Sequence, residues 1–207
     1  ANTNVTFVYQ KGDEMQVSVK IQLIGRPTDH PREIALMVSS EDAQEGTDYI
    51  LPEKAEMPAG ETVLEYMITL KRTAILKTQE KHILVSLQPN ENFTLPVTEE
   101  TTANGDVVST LSYQIIFSDK FTTAPKAWKT DLLGDFTQQK FELACKVLDL
   151  DPADFNDDSK MTLAMQSYVS SEMQSYVREQ QKLRNNGEAY DADAFDAKGN
   201  ALAFYGE

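Results

Sequence analysis

Two histidines, His30 and His82, and one cysteine, Cys145, make up the chain's whole supply of imidazole and thiol. His30 stands in "PTDHPRE", squeezed between Pro27 and Pro31, and His82 opens a run of alternating apolar residues. Neither lies near a cysteine, a second histidine or an HExxH spacing, so a zinc site has weak support. Neither shows along the chain the oriented partner that general acid–base catalysis needs. They read as a loop imidazole and a strand-end residue. Cys145 falls on the apolar side of "FELACKVL" and reads as a small buried hydrophobe rather than a reactive thiolate. Phosphate cradles and nucleophile elbows are missing, because the chain has no GxGxxG, GxxxxGK[ST] or GxSxG.

Carboxylates are the one abundant reactive group, with 33 Asp and Glu against 19 Lys and Arg. A carboxylate hydrolase needs two of them held roughly 5 to 9 Å apart across a cleft, which spacing along the chain does not establish. Hydrolysis is therefore kept only as a remote alternative. In "DLDPADFNDDS", Asp151 before Pro152 and Asp154 reads as a helix start, with a cap, a proline in the first turn and an acid at the positive end. "DADAFDAKGN" brings Asp191, Asp193 and Asp196 close together, and calcium is one reading of them. The EF-hand pattern fails, since Asp196 occupies the sixth position and Leu202 the twelfth. A solvated loop followed by a Lys-Gly-Asn turn is the other reading. Trp128, the only tryptophan, lies in "TAPKAWKTDLL". Its flat face suits a sugar ring, which makes it a weak ligand-contact candidate; the alternative is a wedge between packed elements.

The elements that must position these groups fall into two regions. Up to about residue 118 the chain reads as strands. Val5, Phe7 and Tyr9 alternate with polar neighbours, as do Val17, Val19, Ile21 and Leu23, then Ile34, Leu36 and Val38. Tyr66, Ile68 and Leu70 share one face of a strand over 62–70, and Met67 on the other face predicts burial on both sides. Residues 82–87 and 107–117 supply two more strands, with turn-rich intervals such as "GRPTDHPRE", "PNENFTLP" and "TEETTANGDV" between them. In "EGTDYILPEKAEMPAGET", Pro58 is expected at the first central position of a turn, Ala59 at the second and Gly60 at the exit. Gly46 permits an unusual backbone shape at the preceding corner.

Past a connector that contains Pro125, the period becomes helical. Phe141, Leu143, Ala144, Val147 and Leu148 predict a helix over 137–148 with Thr137 as its cap. A second helix is expected over 159–183, with Met165, Val169, Met173, Tyr176 and Val177 as its apolar stripe and Asn185-Asn186-Gly187 as its stop. The stretch MQSYV occurs at 165–169 and again at 173–177. Eight residues rotate a helix by about 800°, so the copies sit about 80° out of phase and read as core packing or as a partner-binding stripe. "ALAFYGE" is expected to form a short terminal strand.

The formal net charge is −14, and both regions carry more acids than bases. That argues against nucleic acid and against attraction to an anionic membrane surface. A single cysteine removes any disulfide framework, and no apolar run approaches the ~20 residues of a membrane span. The first residue is Ala1 rather than Met, which suggests a removed leader.

The segment "SSEDAQEGTDYILPEKAEMPAGETVLEYMITL" resembles a Calx-beta strand–corner–strand, with its acidic-Ala, Gly-x-Asp-Tyr and Gly-Glu signals. The wider chain resembles surface lipoproteins of unknown function encoded among the glycan-uptake genes of gut bacteria. "VSVKIQLIGRPTDHPREI", "EGTDY…MPAGE", "LKRTAILK" with "LVSLQPNENF", and "FSDKFTTAPKAW…LGDFTQQKF" carry that resemblance in order over about residues 5 to 141. It implies an exported protein at the cell surface or outer membrane, held by a lipid on a cysteine that precedes a mature or trimmed chain. It carries over no catalytic residues. Some Calx-beta domains bind calcium through acidic loops, and the matching positions would be Glu41, Asp42 and Asp48.

The expectation is an antiparallel, immunoglobulin-like β-sandwich over 1–120, followed by a mainly helical region over 121–207. The expected role is a non-enzymatic surface accessory or binding protein without cofactor or metal, partnered by a glycan or an outer-membrane protein. A structural or adhesion module that binds another protein is the second reading.

Overall fold

The computed structural model describes residues 1–95, 99–109 and 111–205. They form two compact units, the first made of Ala1–Phe7 and Gly12–Lys120, the second of Val8–Lys11 and the chain from Phe121 onward. Tyr9 thus leaves the strand alternation that Val5 and Phe7 begin and belongs to the second unit.

The first unit contains β1 (Asn2–Thr6), β2 (Glu14–Gln22), β3 (Arg32–Glu33), β4 (Ala35–Ser39), β5 (Tyr49–Ile50), β6 (Glu56–Met57), β7 (Val63–Lys71), β8 (Lys81–Gln88), β9 (Glu99–Thr101), β10 (Val107–Ser109) and β11 (Ser112–Ser118). One sheet runs β1-β11-β8-β4 and the other β2-β7-β5, while β3/β6 and β9/β10 form two-stranded ladders. Among the described residues each ladder between named strands is antiparallel except β1 on β11, which is parallel over Asn2↔Gln114 to Thr6↔Ser118. Period-two alternation explains the layers. Val17, Val19 and Ile21 of β2 point the same way as Tyr66, Ile68 and Leu70 of β7, and all are buried with Ile83, Val85, Ile115 and Phe117 of the facing sheet in one cluster. This is the β-sandwich expected from the strand pattern.

Three local expectations change. Met67 is 36% exposed, so β7 buries one face only. The 107–117 strand is two strands, β10 and β11, and the "TEETTANGDV" interval contributes the β9/β10 hairpin rather than a bare turn. Glu99, Glu100 and Thr101 are all exposed, so no alternation marked them. The Pro58 turn is shifted by one residue: the Glu61 N–H donates to the Pro58 carbonyl at 3.2 Å, which places Ala59 and Gly60 centrally. Gly60 takes φ +77°, the left-handed value that the second central position of a type II turn requires.

The second unit holds α1 (Thr130–Leu133), α2 (Gln138–Leu148) and α3 (Leu163–Asn185), with 3₁₀ turns at Pro152–Asn156 and Ala192–Ala194. Thr137 and Thr162 cap α2 and α3 by accepting from the N–H groups of Lys140 and Met165. Gly187, at φ +74°, follows the end of α3. Along α3 the residues buried are Gln166, Val169, Ser170, Met173 and Val177, so both MQSYV copies give their valine to the core. The expected terminal strand is reduced to an isolated bridge between Phe195 and Ala201. Phe204 nevertheless is fully buried, and Gly206 and Glu207 lie outside the described residues. Among those residues no helix is long and apolar enough to cross a membrane.

Lys140 gives this unit a pH signature. Its ammonium is buried, donating to the carbonyls of Leu133 at 2.6 Å and Asp135 at 2.7 Å. Burial pushes its pKa down to about 8, against the weaker opposing pull of the Asp135 charge. The folded chain therefore releases this proton before the unfolded chain does. Between about pH 8 and 10.5 the unfolded state binds more protons, so stability rises with pH through that window. Urea midpoints of the second unit's transition should climb from pH 8 to 9 in the native chain, below the range where the buried Cys145 thiol pulls the other way, and a Lys140→Met variant should lose that climb.

Candidate functional site

Two places in the first unit gather polar groups. One is the loop after β4. The Ser40 hydroxyl donates to the His82 carbonyl at 2.6 Å and accepts from the Ala43 N–H at 2.7 Å, tying the loop to the start of β8. Asp42 then meets His82, with Oδ2 at 2.8 Å from Nδ1 and Oδ1 accepting the His82 backbone N–H at 2.8 Å. Beside it, Asp48 is 4% exposed and accepts from the Lys81 ammonium on Oδ1 at 2.8 Å and from the Gln44 N–H on Oδ2 at 2.7 Å.

Of the calcium candidates, Asp42 and Asp48 are therefore both turned toward protein donors, and Lys81 supplies the cation at Asp48. Glu41 is exposed. Among the described residues no three His, Cys, Asp or Glu side chains are grouped to hold a metal. His82 does have an oriented partner, contrary to the sequence reading. Asp42 lies 40 positions away, so no local motif could reveal it. The other ring nitrogen faces Glu80 at 3.5 Å, not a hydroxyl or thiol.

The Asp42 hydrogen bond raises the His82 pKa above its ordinary 6.5, against the smaller opposing effect of burial and with help from the charges of Asp42 and Glu80. Burial alone would raise the Asp42 carboxyl, but hydrogen bonds from His82 and Ser40 together hold it below its usual range. The pair's contribution from His82 is full below 6.5 and is lost as pH rises through the raised value. The contribution from Asp42 is lost as pH falls through the lowered one. In an NMR titration His82 should lose its proton above pH 6.5, and Asp42→Asn should bring the midpoint back down.

The second place is a cavity of about 460 Å³ at the end of the sandwich where β2 and β8 finish. Its walls include Ile34, Met57, Leu87 and Phe93, with Ile24, 79% exposed, at the mouth. Asn90 folds the turn that carries the wall residues Asn92 and Phe93: its Oδ1 accepts their N–H groups at 2.9 Å each, and its amide donates to the Glu33 carbonyl at 2.9 Å. That turn sets the Phe93 ring against Arg32, whose guanidinium carbon lies 4.6 Å from the ring centroid. Arg32 itself is fixed by pairing opposite Met57 in the β3/β6 ladder. Its Nε and Nη2 are buried without a hydrogen-bond partner.

In the second unit the sequence candidates take structural roles. Trp128 is 7% exposed, its indole N–H donates to the Gly134 carbonyl at 2.9 Å, and its ring packs edge-on to Phe136 at 5.1 Å. It is the wedge, and its ring is not presented to a sugar. Burial drives the Cys145 thiol up to about 12, which keeps it protonated and unreactive. Asp151 caps the 3₁₀ turn through the Ala153 N–H at 3.0 Å. Asp191 accepts from the Tyr176 hydroxyl at 2.7 Å and the Asp193 N–H at 3.0 Å, and Asp193 faces Lys146 at 3.5 Å. Asp196 accepts the N–H groups of Lys198 at 2.9 Å and Asn200 at 2.8 Å. These aspartates shape a loop and a turn, as the Lys-Gly-Asn reading expects. His30 is exposed, and its imidazole lies 2.9 Å from the carboxylate of its neighbour Asp29.

These features define a two-unit protein whose β-sandwich carries internal charge pairs and an open-ended cavity. The chain belongs to the family described as domain of unknown function DUF4843, whose model matches residues 3–150. Among solved structures it is similar to the calcium binding domain CBD12 of CALX1.1 (TM-score 0.40, 14% identity, 57% of this chain and 41% of that one). It is also similar to CBD12 from CALX1.2 (TM-score 0.36, 15% identity, 57% and 41%). A third is a protein of unknown function from Bacteroides ovatus (TM-score 0.34, 13% identity, 58% and 42%). The chain thus spans about two-fifths of the length of the structures it matches. No curated protein sequence matches it.

Proposed function

We propose that this chain is a non-enzymatic binding module, exported and lipid-anchored at the cell surface, that serves a glycan-capture or uptake system. The observation that carries the binding reading is the cavity beside Arg32, which has the size of a small-molecule site and joins apolar walls to a few polar groups. The resemblance to surface lipoproteins of glycan-utilisation loci carries the setting. A glycan array and pull-downs with outer-membrane transport components test it, together with palmitate labelling of the full-length gene product. Binding in either assay and label on a cysteine upstream of Ala1 are the expected results. Silence in both binding assays removes the glycan-uptake role, and an unlabelled product removes the anchor.

A second reading, a module that binds another protein, has its own support. β2 is nine residues long and is an outer strand of its sheet among the described residues. An outer strand offers a free row of N–H and C=O groups to an added strand. Lys20 and Glu14 on its exposed face act against indiscriminate pairing. A proline at Ser18 should abolish a strand-mediated complex while leaving cavity ligands unaffected.

A further inference from the structure

We propose that the cavity at the end of the sandwich binds an organic carboxylate with an apolar body, the carboxylate paired with Arg32 and the body lying against Ile34, Met57 and Leu87. This rests on the binding reading, which the same cavity carries, and assigns that cavity a ligand class that is neither a glycan nor a protein.

The same unit shows what a guanidinium does when its partner is present. Arg72 holds Asp119 through Nε and Nη2, each 2.8 Å from one carboxylate oxygen. These two nitrogens lie along one edge of the planar group, and their N–H bonds run parallel, which matches the two oxygens of a carboxylate. Arg32 has that same edge, Nε and Nη2, buried with neither hydrogen satisfied. A buried guanidinium edge whose N–H groups meet no acceptor is costly, and the contact with the Phe93 ring offsets only part of that cost. The missing partner is an anion with two coplanar acceptors.

The surroundings select the rest of the ligand. The wall residues Ile34 and Met57 are 6% and 1% exposed and belong to the sandwich core, so the cavity continues the apolar interior outward. An alkyl or aromatic body gains from covering such walls, whereas a free inorganic anion would leave them wet. Arg26 and Glu100 are both exposed at the rim and offset one another. With a net charge of −14 the protein repels anions at a distance, so selection rests on short-range pairing inside the cavity. Nε and Nη2 are covered, and the guanidinium must turn off Phe93 into the cavity to meet the ligand. That turn breaks no hydrogen bond at either nitrogen.

Decanoate is a suitable probe, with decanol as its uncharged counterpart, both titrated calorimetrically into the full chain. Saturable one-to-one binding of decanoate at least tenfold tighter than decanol is expected. Arg32→Met should weaken decanoate at least tenfold, leave decanol within twofold, and melt no lower than the native chain. No decanoate binding, equal affinity for both probes, or native affinity in Arg32→Met overturns the proposal. Should that variant fail to fold, NMR on the native chain decides. Decanoate must shift the Arg32 Nε–H resonance and the Ile34 and Phe93 amides, and shifts elsewhere alone overturn it.

Discussion

Asp119→Ala is expected to lower the stability of the sandwich by about 3–5 kcal/mol, read as a fall in the urea midpoint of the first unit's transition. Asp119 is completely buried, and both its oxygens hold Arg72, whose side chain is only 18% exposed. Removing the carboxylate leaves a guanidinium out of water with its strongest partner gone, and it is the stranded charge rather than the lost bond that dominates the cost. The backbone adds weight, because the Asp119 N–H donates to the Leu76 carbonyl at 2.9 Å and fixes the residue at the end of β11. Replacing both partners, Arg72→Met with Asp119→Leu, should recover most of the loss. A double variant as unstable as Asp119→Ala would mean that shape, not charge, sets the effect. The two units are expected to unfold as separate transitions, so each must be followed by its own probe.

Gly134→Ala should be the most damaging small change in the second unit, at about 3 kcal/mol or more. Gly134 takes φ +72° and ψ −174°, a region essentially reserved for glycine, worth about 1–3 kcal/mol of strain in any other residue. An added Cβ would also lie 2.7 Å from the Tyr205 carbonyl oxygen and 3.0 Å from the Lys140 ammonium. A backbone oxygen cannot swing aside as a side-chain tip can, so overpacking adds to the strain. The Gly134 carbonyl accepts from Trp128, so displacement would also strip the indole of its partner. Gly199 provides the comparison: at φ +82° with open space around it, alanine there meets the conformational cost alone. Trp128 fluorescence during urea unfolding would compare the two variants, and equal losses would refute the steric argument.

The fold was legible where the physics is local. β2 and β7 announce themselves because each buries one face, which forces period-two alternation upon Val17, Val19, Ile21 and Tyr66, Ile68, Leu70. The helices are legible through their spacing and through Thr137; α3 begins at Leu163, a few residues after the expected 159, because Thr162 gives a cap no stronger than its neighbours in composition. Tyr9 misled because three alternating side chains do not say which core they enter, and its ring packs against Phe121 and Phe141. Met67 misled because an apolar residue on the second face of a strand need not be covered. The candidate site was almost wholly illegible. Asp42–His82, Asp48–Lys81 and Arg72–Asp119 join residues 40, 33 and 47 positions apart. Asp48 stands out only through the Gly-x-Asp-Tyr signal, which says nothing of Lys81, and nothing in the chain order distinguishes Asp119 from the other acids. Arg32 lies in the turn-rich "GRPTDHPRE" interval with nothing in the chain to single it out, and only its unpaired edge beside a cavity gives it a role.

The parallel register of β1 on β11 has a mechanical meaning. A pull between Ala1 and Lys120 acts on the leading end of one strand and the trailing end of the other, so the five residue pairs from Asn2↔Gln114 to Thr6↔Ser118 are loaded in shear. Their hydrogen bonds share the force and must rupture together, whereas a hairpin tugged from its open end would peel one rung at a time. Resistance to such a load is governed by the unfolding rate rather than by equilibrium stability. Stretched from these two points, the sandwich should therefore yield abruptly, as a clasp does, instead of unravelling.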